Sequence, residues 1–316
     1  MAGRLAIVLS GGGAKGAFQV GVLDALVNDR GVRPAIVVGT SPGAIQAVGV
    51  AQENVTGLRD VWLSLRGNRD IYRERGGIAG SVIFGQKGIH DAAPLRALLR
   101  RFIDPARLAA SAVDLRLGVV SLQSGEFRTI DKRTGNIPDW TYASCAMPVF
   151  FDPLETSDGQ QWVDGGVRDV TPLGAALDLN PSAVLVIRAS PAAKNATTRR
   201  YGGLIPIGLR AVSLLQAEVG RNDLANTGLI NDMLAARDGV FAALEANGSS
   251  AAEATRLLAP LDRQLAAYRF AQVRVIEPVE EYADTLEFDP AKIRRAIDGG
   301  RAAAAAAWPV IERLVG

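Results

Sequence analysis

Short aliphatic runs that end in turn residues and are each followed by a helical pattern constrain this chain more than any other feature. Leu5-Ala6-Ile7-Val8-Leu9 runs into Ser10-Gly11-Gly12-Gly13, and Ala35-Ile36-Val37-Val38 runs into Gly39-Thr40-Ser41. Such runs, with helices between them, are the signature of parallel βαβ units. Strands are predicted at 4–9, 35–39, 115–121, 126–131, 183–188 and 272–276. Helical spacing or composition predicts helices over 16–28, 43–51, 94–103, 207–235 and 250–269, with a last one over 291–315 after the N-cap and first-turn pair Asp289-Pro290. That order predicts helices on both faces of a mostly parallel sheet.

Composition removes whole classes of function. With 316 residues, 48% of them hydrophobic and 22% charged, the chain can bury a large core. We expect one domain over 1–316, with core motifs at 5–180, a variable helical segment at about 190–270 and a closing strand and helix at 272–315. A net charge of +2 is too small for a nucleic-acid footprint, so no nucleic-acid partner is expected. The lone Cys145 forms no internal disulfide, and one histidine, His90, excludes most multi-histidine zinc sites. No calcium-loop spacing occurs, and neither a metal nor a cofactor is expected. The first aliphatic run is too short for a signal core or a membrane span, which predicts a cytoplasmic protein with peripheral membrane contact left open.

Two glycine-rich turns carry the chemistry. Gly11-x-Gly13-x-x-Gly16 has dinucleotide-fingerprint spacing, but the acid that should hold a ribose at the end of the second strand is absent, and Gly16-Ala17 after Lys15 breaks the P-loop pattern. What remains is backbone geometry: Gly11, Gly12, Gly13 and Ala14 can point amide hydrogens at an anion or a transient oxyanion. Lys15, on the first turn, reads as a solvated lysine.

The second turn, Gly39-Thr40-Ser41-Pro42-Gly43, is a G-x-S-x-G at a strand-to-helix junction, the context of a nucleophile elbow. Pro42 lacks the amide hydrogen that follows the nucleophile in the usual elbow, so the oxyanion donors must come from the Gly11–Ala14 turn. His90 lies in the wrong chain order for a hydrolase triad and beside Asp91, a predicted N-cap of helix 92–102, so it reads as structural. Asp164, in a turn with Gly165 and Gly166, is the available general base. An ordinary aspartate has a pKa near 3.9, so this one needs an apolar pocket or strong positioning to act at neutral pH. Two loops of mixed glycine and apolar residues, 76–89 and 201–209, are candidates for a lid or a membrane-touching segment.

These blocks resemble the patatin-like phospholipase family. Gly11-Gly12-Gly13-Ala14-Lys15-Gly16 is similar to its oxyanion loop, Gly39-Thr40-Ser41-Pro42-Gly43 to its G-x-S-x-G, Asp164-Gly165-Gly166 to its Asp-Gly-Gly, and Ala143-Ser144-Cys145-Ala146-Met147-Pro148 to the block preceding its aspartate. The middle segment Gly88-Ile89-His90-Asp91 and the helix after Phe288-Asp289-Pro290 resemble it less specifically. The resemblance implies a three-layer α/β/α sandwich, a Ser41–Asp164 dyad, and hydrolysis of acyl esters of lipids presented at a membrane or micelle surface. An acyltransferase using the same acyl-serine, and a silent membrane-surface binding protein, remain alternatives.

Overall fold

The computed structural model describes residues 4–76, 85–191, 200–266 and 268–315. Of the candidate loop at 76–89, residues 77–84 lie outside the described residues. Strands β1 (Leu5–Leu9), β2 (Ile36–Thr40), β3 (Arg73–Glu74), β4 (His90–Asp91), β5 (Asp114–Ser121), β6 (Phe127–Asp131), β7 (Leu154–Glu155), β8 (Gln161–Asp164), β9 (Ala183–Ile187) and β10 (Gln272–Ile276) follow one another in the chain. The main sheet has the order β10-β9-β1-β2-β5-β8-β7, with β6 also on β5. From β10 to β5 neighbouring strands are parallel, and β6, β7 and β8 are antiparallel additions.

Helices cover both faces, the three-layer α/β/α arrangement expected of these alternating elements. They are α1 (Ala17–Leu23), α2 (Pro42–Ala51), α3 (Val55–Ser64), α4 (Ala93–Phe102), α5 (Pro105–Ala110), α6 (Ile137–Cys145), α7 (Leu173–Leu177), α8 (Leu204–Ala246), α9 (Ala251–Leu265) and α10 (Pro290–Val315). Alternation along β1 divides the core. Leu5, Ile7 and Leu9 join the large cluster with α1, α2, α3 and α10, whereas Ala6 and Val8 face a small cluster closed by Leu173 and Ala176 of α7. The second layer is therefore thin.

Some elements differ from the sequence expectation. The helix expected over 16–28 begins as a 3-10 turn at Gly13–Gly16, is α-helical only over α1, and ends in a π turn at Asp24–Asp29. Asp24 is buried there and meets Arg59 and Arg301. The helix expected over 207–235 is the far longer α8, which absorbs most of the 201–209 loop. The paired Arg237 and Asp262, 2.8 Å apart, tie it to α9. Asp289 does cap α10, accepting from the amides of Ala291 and Lys292 at 2.9 Å each.

Candidate active site

Strand register explains how two residues far apart in the chain meet. Thr40, the last residue of β2, pairs with Gly118 of β5, and the next residue of β5, Val119, pairs with Asp164. β6 occupies the other edge of β5 over Arg116–Val120, so β8 takes β2's place on β5 where β2 bends away. Ser41 and Asp164 thus flank the same break in the sheet. Both line one pocket, and the Ser41 hydroxyl lies near enough to the Asp164 carboxylate to favour its charged form.

The elbow is tight enough to demand its glycines. A Cβ on Gly39 would lie 2.0 Å from the Gly43 carbonyl oxygen, and one on Gly43 would lie 2.3 Å from that of Leu9. Ser41 itself sits at φ 57°, ψ −128°, a conformation a non-glycine residue adopts at a cost. Its amide donates to Ser144 Oγ at 3.0 Å, and Ser144 Oγ donates to the Gly118 carbonyl at 2.6 Å. Pro42 then starts α2 where a missing donor costs nothing. Ser144 is a supporting residue that the sequence showed only as part of a motif block, because its partners lie on other segments.

Asp164 does not sit in a flexible turn. It ends β8 at 3% exposure, its amide donates to the Ala146 carbonyl at 3.0 Å, and its Oδ1 accepts from the Gly166 amide at 2.8 Å. Burial pushes its carboxyl up to about 7, while the Ser41 hydroxyl and Gly166 amide pull the other way. The surroundings supply that burial: the pocket, of about 840 Å³ including its mouth, is walled by Trp62, Leu95, Leu99, Phe102, Met147, Phe151 and Phe288. Cys145 also lines it, and burial, with the charge of Asp164 second, pushes its thiol well up, which keeps it unreactive.

The glycine turn contributes fewer donors than its sequence allows. The Gly11 amide donates to the Val170 carbonyl at 2.8 Å and the Ala14 amide to the Thr285 carbonyl at 2.9 Å. Gly12 and Gly13 line the pocket, and their amides have no carbonyl partner among the described residues. A Cβ on Gly13 would fall 2.0 Å from the Thr285 carbonyl oxygen. Lys15 is not solvated: it is 8% exposed and its Nζ stands 2.8 Å from Glu281. His90 stacks on Tyr72 at 4.4 Å between ring centroids, lies outside the pocket lining, and leaves Nδ1 buried without a partner. Burial lowers its pKa, with the charge of Glu74 opposing.

Among the described residues no group of three or more His, Cys, Asp or Glu side chains could hold a metal ion, and no helix is long and apolar enough to cross a membrane. The site defines a class: an α/β protein that presents an elbow serine to a buried aspartate at the carboxyl ends of its parallel strands. The profile of the Patatin-like phospholipase family matches residues 7–177, more than half of the chain, and the chain belongs to that family. Among solved structures it is similar to VipD from Legionella pneumophila, at 17% identity and a TM-score of 0.45, over 97% of this chain. It spans 66%, just under two thirds, of the VipD chain. No curated protein matches the sequence.

Proposed function

We propose that the protein is a lipid acyl hydrolase in which Ser41 and Asp164 form the catalytic dyad. The observation that carries this reading is that the elbow serine Ser41 and the buried carboxylate of Asp164 line the same apolar pocket. Asp164 takes the Ser41 proton as Oγ attacks the ester carbonyl, and returns it to the departing alcohol as the C–O bond breaks. Water then attacks the acyl-serine, giving its proton to Asp164 and releasing the fatty acid and free Ser41. The oxyanion formed in each step is held by the amides of Gly12 and Gly13. A carboxyl with its pKa near 7 is well matched to accepting and returning a proton at neutral pH.

A panel of phospholipids, acylglycerols and p-nitrophenyl esters tests the reading, with hydrolysis expected from the wild type and lost with Ser41. An intact fold that cleaves none of them defeats it. Gly13→Ala adds a methyl where the Thr285 carbonyl already lies, so turnover is expected to fall about 10²–10³-fold, the scale of a lost oxyanion donor. Wild-type turnover in that variant would remove Gly13 from the mechanism. His90→Ala is expected to keep its activity and lose about 1–2 kcal/mol of stability by thinning the aromatic cluster with Tyr72, Phe150 and Phe151. A thousandfold loss of activity, on the scale of a missing general base, would point to a histidine mechanism instead.

A further inference from the structure

The pocket that holds Ser41 is walled by α2, α3 and α4 and reaches as far as Phe102, and Asp164 is the only charged side chain among the described residues that line it. We propose that Phe102 closes the far end of this pocket and sets the length of the acyl chain, making the protein selective for medium chains of about eight carbons. The proposal rests on the acyl hydrolase reading above and adds the chain-length preference of that site.

Two helices fix where Phe102 stands. Ser41 precedes the first turn of α2 and Gln52 follows its last, about 16 Å further along the axis. Gln52 Nε2 donates to the Phe102 carbonyl at 3.1 Å, and its Oε1 accepts from the Asp104 amide at 3.0 Å. The last residue of α4 therefore lies beside the end of α2 that is remote from Ser41. The pairing of α4 with α6 gives the same direction. The Arg96 guanidinium stands 3.6 Å over the Tyr142 ring and Arg100 meets Asp139 at 3.2 Å, so the two helices run antiparallel. Ser144, near the end of α6, holds the Ser41 amide, so α4 starts at the level of Ser41 and runs away from it. Leu95, Leu98, Leu99 and Phe102 line the pocket along about 10 Å of that helix.

The walls and the stop together select the occupant. Past Ile45, one helical turn from Ser41, the lining is Trp62, Leu65, Leu98, Leu99 and Phe102, a route that suits a bare hydrocarbon chain. Long helical side chains point back toward the helix N-terminus, so the Phe102 ring leans toward Leu98 and into the pocket. With the ring filling the last turn, about 5 Å, roughly 10 Å remains between it and Ser41. An extended hydrocarbon advances about 1.25 Å per carbon, so about eight carbons fill that length. Leu98 and Phe102 are themselves half-buried, so side chains alone separate this end of the pocket from solvent. Truncating one lengthens the pocket without moving the backbone.

Kinetics on p-nitrophenyl esters from butyrate to dodecanoate test this. In the wild type, kcat/KM is expected to rise about fourfold for each methylene buried, as far as octanoate, and to level off beyond it. Phe102→Ala is expected to extend the rise, lifting the dodecanoate-to-octanoate ratio at least about tenfold over the wild-type ratio. Comparing both proteins on the same ester cancels the ester's own solubility. Ile45→Phe, which fills the pocket one turn from Ser41, is expected to move the break down to hexanoate, and it carries the test should Phe102→Ala fail to fold. A wild-type rise that continues unbroken to dodecanoate overturns the proposal. So does a loss in Phe102→Ala that is uniform across the series, the mark of a merely structural ring. Calorimetry with hexanol, octanol and decanol on the Ser41→Ala protein reads the pocket without turnover: affinity is expected to climb as far as octanol, and on to decanol once Phe102→Ala is added. That binding pattern with no cleavage of any ester would defeat the hydrolase reading and leave the chain-length assignment standing. Cleavage that depends on Ser41 with no break in either series would do the reverse.

Discussion

Ser41→Ala is expected to lower ester hydrolysis by at least about 10⁴-fold, the scale of removing a covalent nucleophile, while leaving the melting temperature near the wild-type value. Little else depends on the hydroxyl: the elbow is held by the Ser41 amide on Ser144 Oγ, by Pro42 at the start of α2, and by the packing of Gly39 on Gly43, all of which alanine retains. Ser41→Gly is equally inactive on this account, yet should melt higher than the wild type. At φ 57°, ψ −128° a side chain is strained and glycine is not, and such strain is worth about 1–3 kcal/mol. An inactive variant that is more stable than its parent would show that the fold holds this serine in place against its own preference.

Asp164→Asn is expected to lose activity by about 10²–10⁴-fold and to gain stability, a pairing of opposite signs that few other substitutions share. Its amide oxygen can still accept from Gly166, so the local turn survives. The gain follows from linkage. In the unfolded chain the carboxyl ionises at its ordinary pKa near 3.9, and in the folded protein only near 7. The folded state therefore binds more protons between those values, so the stability that Asp164 contributes is complete below about pH 4 and is lost as pH rises to 7. At pH 8 the wild type carries the full penalty of a buried carboxylate, on the order of 2–4 kcal/mol, which asparagine avoids. Denaturant unfolding at pH 8 and pH 5 checks this: the difference between variant and wild type should be larger at pH 8. A variant less stable than wild type at pH 8 would mean that Asp164 is ionised at no cost and is an ordinary structural ion.

Local chemistry was legible in the sequence wherever one segment determined it. The aliphatic runs marked β1, β2, β5, β6, β9 and β10, and the capping pair Asp289-Pro290 marked the start of α10. Both glycine turns could be placed at strand-to-helix junctions because the strand and the helix adjoin them in the chain. The exchange of β2 for β8 along one edge of β5 could not be read, since β8 is four residues long and its pairing with Val119 is a long-range event. For the same reason Asp164 read as a turn residue when it is a strand end. Lys15 read as solvated because its partner Glu281 comes from a distant loop, and Gly11 and Ala14 read as free donors because Val170 and Thr285 do too.

The most direct test of the central claim is the site and the pH dependence of fluorophosphonate labelling, read by mass spectrometry of the modified peptide. The account predicts a single adduct on Ser41, with a labelling rate that rises about tenfold per pH unit up to about 7 and is flat above, and that is much slower and loses this pH dependence in Asp164→Asn. An adduct on another residue of the folded protein, or labelling of Ser41 at the same rate with and without the Asp164 carboxylate, would contradict it.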